Sequence, residues 1–283
     1  MSSDHRRALL LLALCGVFWS SAGVLIKLVT WNSGAIWAAR SAVAAITLYA
    51  IRRPSFRRIS RWECSAAFAL AATTGLFIVA NKLTTAANAI LIQYSAPIWV
   101  ALFGQWLLGE RASRLDWLAI VVVLGGVGVF FFDRLTMDHI AGNLVALAAG
   151  VTFAANAMFL RKVALSSTAE APTDPLRPLL LGNIVGAVLG APFLFVGHPP
   201  DLTGWGAILA LGTVQQAAAY LCYAGGIRHA TALEGILIPA IEPILSPIWV
   251  AIAIGEMPGP WALVGGAIVL GAVTARASMG RKR

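Results

Sequence analysis

The sequence predicts an all-α integral membrane protein with ten transmembrane helices, and three observations carry that expectation. Of its 283 residues, 59% are hydrophobic and only 12% are charged, with a mean hydropathy of +0.81. A soluble domain carries about 25% charged and about 45–50% apolar residues, so too few polar residues are present to cover a soluble fold. Apolar runs of about 20 residues, the length that crosses a ~30 Å hydrocarbon core, recur along the whole chain. A stretch in the first half of the chain also returns in the second. An ordinary soluble enzyme, a disordered regulator and a disulfide scaffold are excluded, and the outside must face lipid.

Cutting the runs at charge clusters and at Gly, Pro and Asn turns gives spans at 8–28, 34–51, 64–81, 86–108, 116–132, 140–161, 178–196, 204–226, 232–254 and 260–277. The first follows His5-Arg6-Arg7. Its start, with Ser20-Ser21-Ala22 further on, resembles a signal peptide with a small-residue cleavage site. The apolar run nevertheless continues from Gly23 to Leu28, long enough to span, and is read as a helix. A basic segment from Arg52 to Arg61 separates spans two and three, and Gly109-Glu110-Arg111 separates four and five. Between six and seven lies the polar linker Ser166-Ser167-Thr168-Ala169-Glu170-Ala171-Pro172. No connection is long enough to hold a soluble domain.

Trp31, Trp62, Trp106, Trp117, Trp205 and Trp261 lie near span ends and read as interface anchors. Gly182, Gly186 and Gly190 in span seven, and Ala267, Gly271 and Ala275 in span ten, are small-residue stripes that let helices approach closely. Cys15, Cys64 and Cys222 have no CxxC spacing and read as inert packing residues.

The net charge of +9 raises the question of nucleic acid, and the distribution of that charge answers it. With the N-terminus inside, 17 of the 21 Lys and Arg fall in cytoplasmic segments. Three, Lys27, Lys82 and Arg134, fall on the opposite side, and Arg40 lies within a span. That bias in short loops sets orientation. Both termini are expected in the cytoplasm of a bacterial-type cytoplasmic (inner) membrane. The basic excess then records topology and anionic-lipid contact, not a nucleic-acid partner.

The segment Ile90-Leu91-Ile92 … Pro97 … Gly109-Glu110 recurs as Ile236-Leu237-Ile238 … Pro243 … Gly255-Glu256, every position offset by 146. A weaker echo, offset by 134, links Gly16-Val17 … Lys27 … Val29 with Gly150-Val151 … Arg161 … Val163. Ten helices therefore divide into five plus five, residues 1–135 and 136–283, together forming one membrane domain. Five is odd, so the second copy starts from the other face of the membrane. Inverted repeats of this kind place a substrate site near the midplane where the halves meet.

The run from Ala89 to Phe131, with its mid-helix Pro97, its Gly109-Glu110-Arg111 turn and the Gly-rich helix after it, resembles the EamA-type drug/metabolite transporters. Arg40-Ser41-Ala42 and Phe18-Trp19-Ser20-Ser21 resemble that family too, whereas Gly255-Glu256-Met257-Pro258 departs from it in lacking a following basic residue. Within the family the chain is most similar to YddG-type exporters. That likeness implies outward transport of aromatic and other neutral amino acids by alternating access, with no cofactor. Because relatives on one fold move different solutes, export of other metabolites or drugs is the alternative.

Polar groups at membrane depth are costly and point to function. Glu242, near the middle of span nine, is flanked by Pro239, Pro243 and Pro247. Each proline removes a backbone donor, and irregular backbone at this depth is tolerated where it is buried in protein or lines a watery cavity. Glu242 and the freed carbonyls can accept hydrogen bonds from an ammonium group; a proton-coupling carboxylate and a paired structural one are the other readings. Pro97 is the matching kink in span four. Gln215, Gln216 and Tyr220 in span eight, Tyr94 and Trp99 in span four, Trp19 and Ser20 in span one and Asn156 in span six lie at comparable depth. Aromatics with a few amides suit a neutral or zwitterionic solute with an apolar side chain; as single residues, Ser20 and Asn156 lean towards interhelical glue. Arg40 is either a carboxylate holder or a structural partner, and its place outside the helices carrying the other polar groups favours structure.

Rival classes find less support. The four histidines, His5, His139, His198 and His229, fall in tails or loops, and no HExxH, GxSxG or P-loop appears. Neither a filter-like loop nor a ring of like charges marks a channel. The partners expected are a small-molecule substrate and the bilayer. Oligomeric state is open, and a monomer is compatible with the sequence.

Overall fold

The computed structural model describes residues 2–56, 58–84, 86–132, 139–168, 172–254 and 259–278. Arg134, the Gly255-Glu256-Met257-Pro258 turn and the basic tail Arg281-Lys282-Arg283 lie outside the described residues, as do the side chains of Lys27, Lys82 and Pro247.

All regular structure among the described residues is helical. In chain order the elements are α1 (Ser3–Ser20), α2 (Ala22–Lys27), α3 (Ser33–Arg52), α4 (Arg61–Leu83), α5 (Ala86–Gln93), α6 (Ala96–Leu108), α7 (Arg114–Phe130), α8 (Ile140–Leu165) and α9 (Leu176–Gly190). After a 3-10 turn at Ala191–Phe195 come α10 (Leu202–Ala210), a π-helical segment Leu211–Ala218, α11 (Ala219–Gly226) and α12 (Ala232–Leu237). A second 3-10 turn, Ile238–Ile241, leads into α13 (Glu242–Ile254), and α14 (Pro260–Ser278) completes the chain. Eight helical stretches are long and apolar enough to cross a membrane by length and composition. Two more apolar segments follow the same pattern, the 17-residue α7 and the interrupted run 232–254. The architecture is that of a multi-pass membrane protein.

The first helix belongs to the body of the fold. Leu12 and Cys15 on α1 are fully enclosed, and α1 packs on α11, on 238–241 and on α13. Small residues set the close crossings. A Cβ on Gly182 would lie 2.8 Å from the Ala67 carbonyl of α4, and one on Gly190 would lie 2.9 Å from Cβ of Ala38 on α3. The stripe expected in span ten is corrected, because nothing approaches Gly271 within 4 Å. There the close contact is Gly265, whose added Cβ would meet the Gly126 carbonyl of α7 at 2.5 Å. Cys15 is a packing residue, but Cys64 is exposed, so the expectation for it is also corrected.

Three helices that start at one end of the bundle share one local device. Ser60, Ser113 and Thr231 cap α4, α7 and α12, and Glu63, Asp116 and Glu234 reach back to complete capping boxes. Each box satisfies two otherwise orphaned N–H groups and places an anion at the positive end of the helix. The same carboxylates then tie in a distant arginine: Glu63 takes Arg177, while Asp116 takes Arg276 at 2.7 Å, with Glu234 3.6 Å from Arg276. Arg161 Nε donates to Glu110 at 2.7 Å, and its Nη1 donates to the carbonyls of Ile227 and Arg228. His5 joins this end through the His229 carbonyl, 3.0 Å away. The segments rich in basic residues thus converge on one face and are stitched together there.

Candidate functional site

Four apolar segments lose regular α-helical geometry between their ends. The first breaks at Ser21, and the fourth breaks at Tyr94-Ser95, after which Pro97 opens α6 where its missing N–H costs nothing. The eighth widens into the π-segment Leu211–Ala218, and the ninth tightens into 3-10 at Ile238–Ile241 with Pro239 at its start. Pro243 falls in the first turn of α13, which continues as helix through position 247. Short π segments within helices are rare and concentrate at functional sites.

These breaks surround a cluster of polar and aromatic side chains. Glu242, the first residue of α13, is part-buried, and its Oε2 accepts from the Tyr94 hydroxyl at 3.3 Å. The Trp19 ring stacks on Tyr223 at 5.6 Å between centroids and meets Tyr220 and Phe153 edge-on at 6.3 and 6.2 Å. Gln216 Nε2 donates to Asn183 Oδ1 at 2.8 Å and to the Tyr220 hydroxyl at 3.3 Å. Tyr220 is within electrostatic reach of both Glu242 and Arg40. Several buried polar atoms here have no hydrogen-bond partner among the described residues: Arg40 Nε, Gln215 Oε1, Gln216 Oε1 and the Tyr223 hydroxyl. Buried groups left unpaired cost about 1–3 kcal/mol each, so their concentration in one place calls for an explanation.

Glu242 and Tyr94 are therefore linked to each other, as are Trp19, Tyr220 and Gln216, and the two groups lie within electrostatic reach through Glu242 and Tyr220, with Gln215 on the same π-segment. The other sequence-selected residues do different work. Ser20 is fully enclosed; it donates to the Val17 carbonyl and accepts from Trp249 Nε1 at 2.7 Å, tying α1 to α13. Asn156 donates to the Ala66 carbonyl at 2.8 Å, tying α8 to α4. Trp99 makes its hydrogen bond and ring contact within its own helix region, to Ser95 and Phe103. Two members, Asn183 and Phe153, were not picked from the sequence. Asn183, a lone amide in an apolar span, was readable by the same criterion that picked Gln216. Phe153 carries no signal that separates it from packing aromatics.

A cavity of about 310 Å³ lies away from this cluster, at the stitched end, lined by Asp4, Arg7, Arg52, Asp174, Arg228 and His229 among others. Among the described residues no group of three or more His, Cys, Asp or Glu is placed to hold a metal ion.

Comparison with known proteins agrees with the architecture. A transporter of Bacillus subtilis, named as uncharacterized transporter YwfM, is 28% identical over 211 residues, covering 72% of this chain and 69% of its own. A protein of Streptantibioticus cattleyicolor, named as a probable terminal-alkyne amino-acid exporter, is 24% identical over 98% of this chain and 96% of its own. The pseudopaline exporter CntI of Pseudomonas aeruginosa is 24% identical over 82% of this chain and 81% of its own. One solved crystal structure superposes with a TM-score of 0.82 over 98% of this chain and 99% of that one at 20% identity, a likeness of fold. The profile of the EamA-like transporter family matches twice, over residues 6–132 and 140–275. With most of its length accounted for by those two matches, the chain belongs to the EamA-like transporter family, multi-pass membrane proteins that carry small solutes and are not enzymes.

Proposed function

We propose that this protein is a secondary transporter that exports aromatic and other neutral amino acids across a bacterial-type cytoplasmic membrane. It works by alternating access between two inverted five-helix halves, 1–135 and 136–283, with both termini in the cytoplasm. The observation that carries the reading is the Glu242–Tyr94 pair within electrostatic reach of Tyr220, whose ring packs with Trp19 and through it Tyr223, where four spans break. Discontinuous helices of this kind present backbone and side-chain groups to a solute at mid-depth. A carboxylate beside aromatic faces matches an ammonium group attached to an apolar side chain.

The repeat is supported by the helix starts. The elements α5, α6 and α7 begin at Ala86, Ala96 and Arg114; α12, α13 and α14 begin at Ala232, Glu242 and Pro260, each 146 residues later. Packing supports it as well, because exchanging the halves exchanges the contacts. The packing of α4 on α8 corresponds to that of 211–226 on α1, and α6 on α8 to 238–254 on α1; α3 on α9 and α7 on α14 join equivalent positions. The two family matches divide the chain at the same place. The relatives named as exporters of an amino acid and of pseudopaline favour outward movement of small metabolites.

The test is reconstitution in liposomes with a solute panel, run with and without a pH gradient. Flux of phenylalanine and other neutral amino acids is expected. Flux of an unrelated solute with none across the amino-acid panel refutes the substrate assignment. Glu242→Gln is expected to lower amino-acid flux. Wild-type flux for that variant at every pH removes both the binding and the proton-coupling role of Glu242.

A further inference from the structure

Among the described residues four arginines are buried or largely buried, and three of them have carboxylate partners: Arg161 with Glu110, Arg177 with Glu63 and Arg276 with Asp116. Arg40 is the exception. On α3 it is 8% exposed, and no described residue gives it an ion pair or a hydrogen bond. The structural partner that the sequence leads one to expect is missing among the described residues. An unpaired charge in a low-dielectric interior is strongly unfavourable, and a chain that pairs its other enclosed arginines does not lack carboxylates to offer.

The surroundings of Arg40 indicate what it is for. The π-segment packs on α3, so closely that a Cβ on Gly212 would lie 3.0 Å from the Arg40 carbonyl. That segment carries Gln215 and Gln216, both with buried amide oxygens that have no partner, and Gln216 leads by hydrogen bonds to Asn183 and Tyr220. Tyr220 in turn feels both Arg40 and Glu242. The cluster therefore has a basic pole at Arg40 with the glutamines and an acidic pole at Glu242. Tyr220, near both, belongs to an aromatic wall with Trp19 and Tyr223.

We propose that Arg40 is the carboxylate anchor of the solute site, so that the site selects α-amino acids as zwitterions, with the carboxylate on Arg40 and the ammonium group on Glu242. The proposal rests on the reading of this cluster as a transport site and adds a recognition element to it. A guanidinium fork matches a carboxylate bidentately. The glutamine side chains, which carry both donors and acceptors, can turn to either partner when the charge is met.

The experiment measures counterflow in liposomes with three probes: phenylalanine, phenylalaninamide, which lacks the carboxylate, and 3-phenylpropionate, which lacks the ammonium group. Wild type is expected to favour phenylalanine over the amide by about tenfold or more, because a site built to bind a group rejects analogues lacking it. Arg40→Gln is expected to bring the acid-to-amide ratio close to one, and Arg40→Lys to retain part of it. Glu242→Gln is expected to keep that ratio while losing preference for phenylalanine over 3-phenylpropionate. Equal flux of phenylalanine and its amide in wild type overturns the proposal without any variant, so misfolding of Arg40→Gln does not shield it. An unchanged ratio in a well-folded Arg40→Gln overturns it while leaving the amino-acid transport reading intact. Absence of flux for any amino acid overturns that reading and this proposal with it.

Discussion

Replacing Arg161 with methionine, and Glu110 with glutamine, tests how the stitched end is held. Arg161 is 7% exposed and makes three hydrogen bonds, to the Glu110 carboxylate and to the carbonyls of Ile227 and Arg228. The second Glu110 oxygen accepts from Ala232 N at 2.9 Å, in the first turn of α12. Removing one partner of a buried pair costs about 3–5 kcal/mol. The Glu110 side chain is 16% exposed and keeps some access to water, so the lower figure applies to Arg161→Met. Glu110→Gln leaves one acceptor oxygen and turns an NH2 donor towards either Arg161 Nε–H or Ala232 N–H, so one of the two charge-assisted bonds is lost, about 2 kcal/mol. In the double variant no arginine N–H competes for the single amide oxygen, which accepts from Ala232 N, so about 3 kcal/mol is expected instead of the sum, a coupling of about 2 kcal/mol. Equilibrium unfolding of the four proteins in mixed micelles measures it. Additivity within about 0.5 kcal/mol refutes the claim that the pair acts as a unit. Under alternating access, opening this end must break the same pair. Arg161→Met then shifts the closed-to-open ratio by up to about a hundredfold, read as faster maleimide labelling of the enclosed Cys15 in a background lacking Cys64 and Cys222.

Other perturbations separate packing from function. Gly265→Ala forces α14 away from the Gly126 carbonyl and is expected to lower the melting temperature, whereas Gly271→Ala, with open space around it, leaves it unchanged; equal effects contradict the corrected interface. Ser20→Ala leaves Trp249 Nε1 without its 2.7 Å acceptor, for a loss of about 0.6–1.5 kcal/mol of stability with substrate selectivity intact. A selectivity change on Ser20→Ala would place that residue in the binding cluster after all. Reporter fusions at both ends are expected to report the cytoplasm, and a periplasmic result at either end breaks the odd-repeat topology.

The fold was legible because membrane insertion imposes rules that act locally. Span length follows from bilayer thickness, so α3, α4, α8 and α14 lie within a few residues of their expected bounds. The breaks in spans four and nine were announced by Pro97, Pro239 and Pro243, since proline removes a donor wherever it stands. The π-segment at Leu211–Ala218 was not announced, because nothing in its composition distinguishes a π turn from an α turn; it arises from what packs on it. The choice of contact glycine in span ten failed for a similar reason. A small-residue spacing shows that a close approach is possible on a face, but which face meets a neighbour is a property of the whole bundle.

Charge was legible one residue at a time but not in pairs. From sequence, Glu242 and Arg40 were the two charges well inside spans, and proline neighbours raised one while isolation demoted the other. The structure reverses the weight of that isolation. Among the described residues, Glu63, Glu110, Asp116 and Glu234 are each engaged with a cation and with a helix start or turn at the stitched end. A carboxylate already fixed by two or more partners cannot serve a distant arginine. Arg40 is therefore left to an anion that the described residues do not supply, near a cluster that also holds Glu242, an acid whose hydrogen bond among the described residues comes from Tyr94. Isolation of a charge in the sequence, combined with engagement of the described carboxylates at the stitched end, is the ground for reading Arg40 as a binding residue and not a structural one.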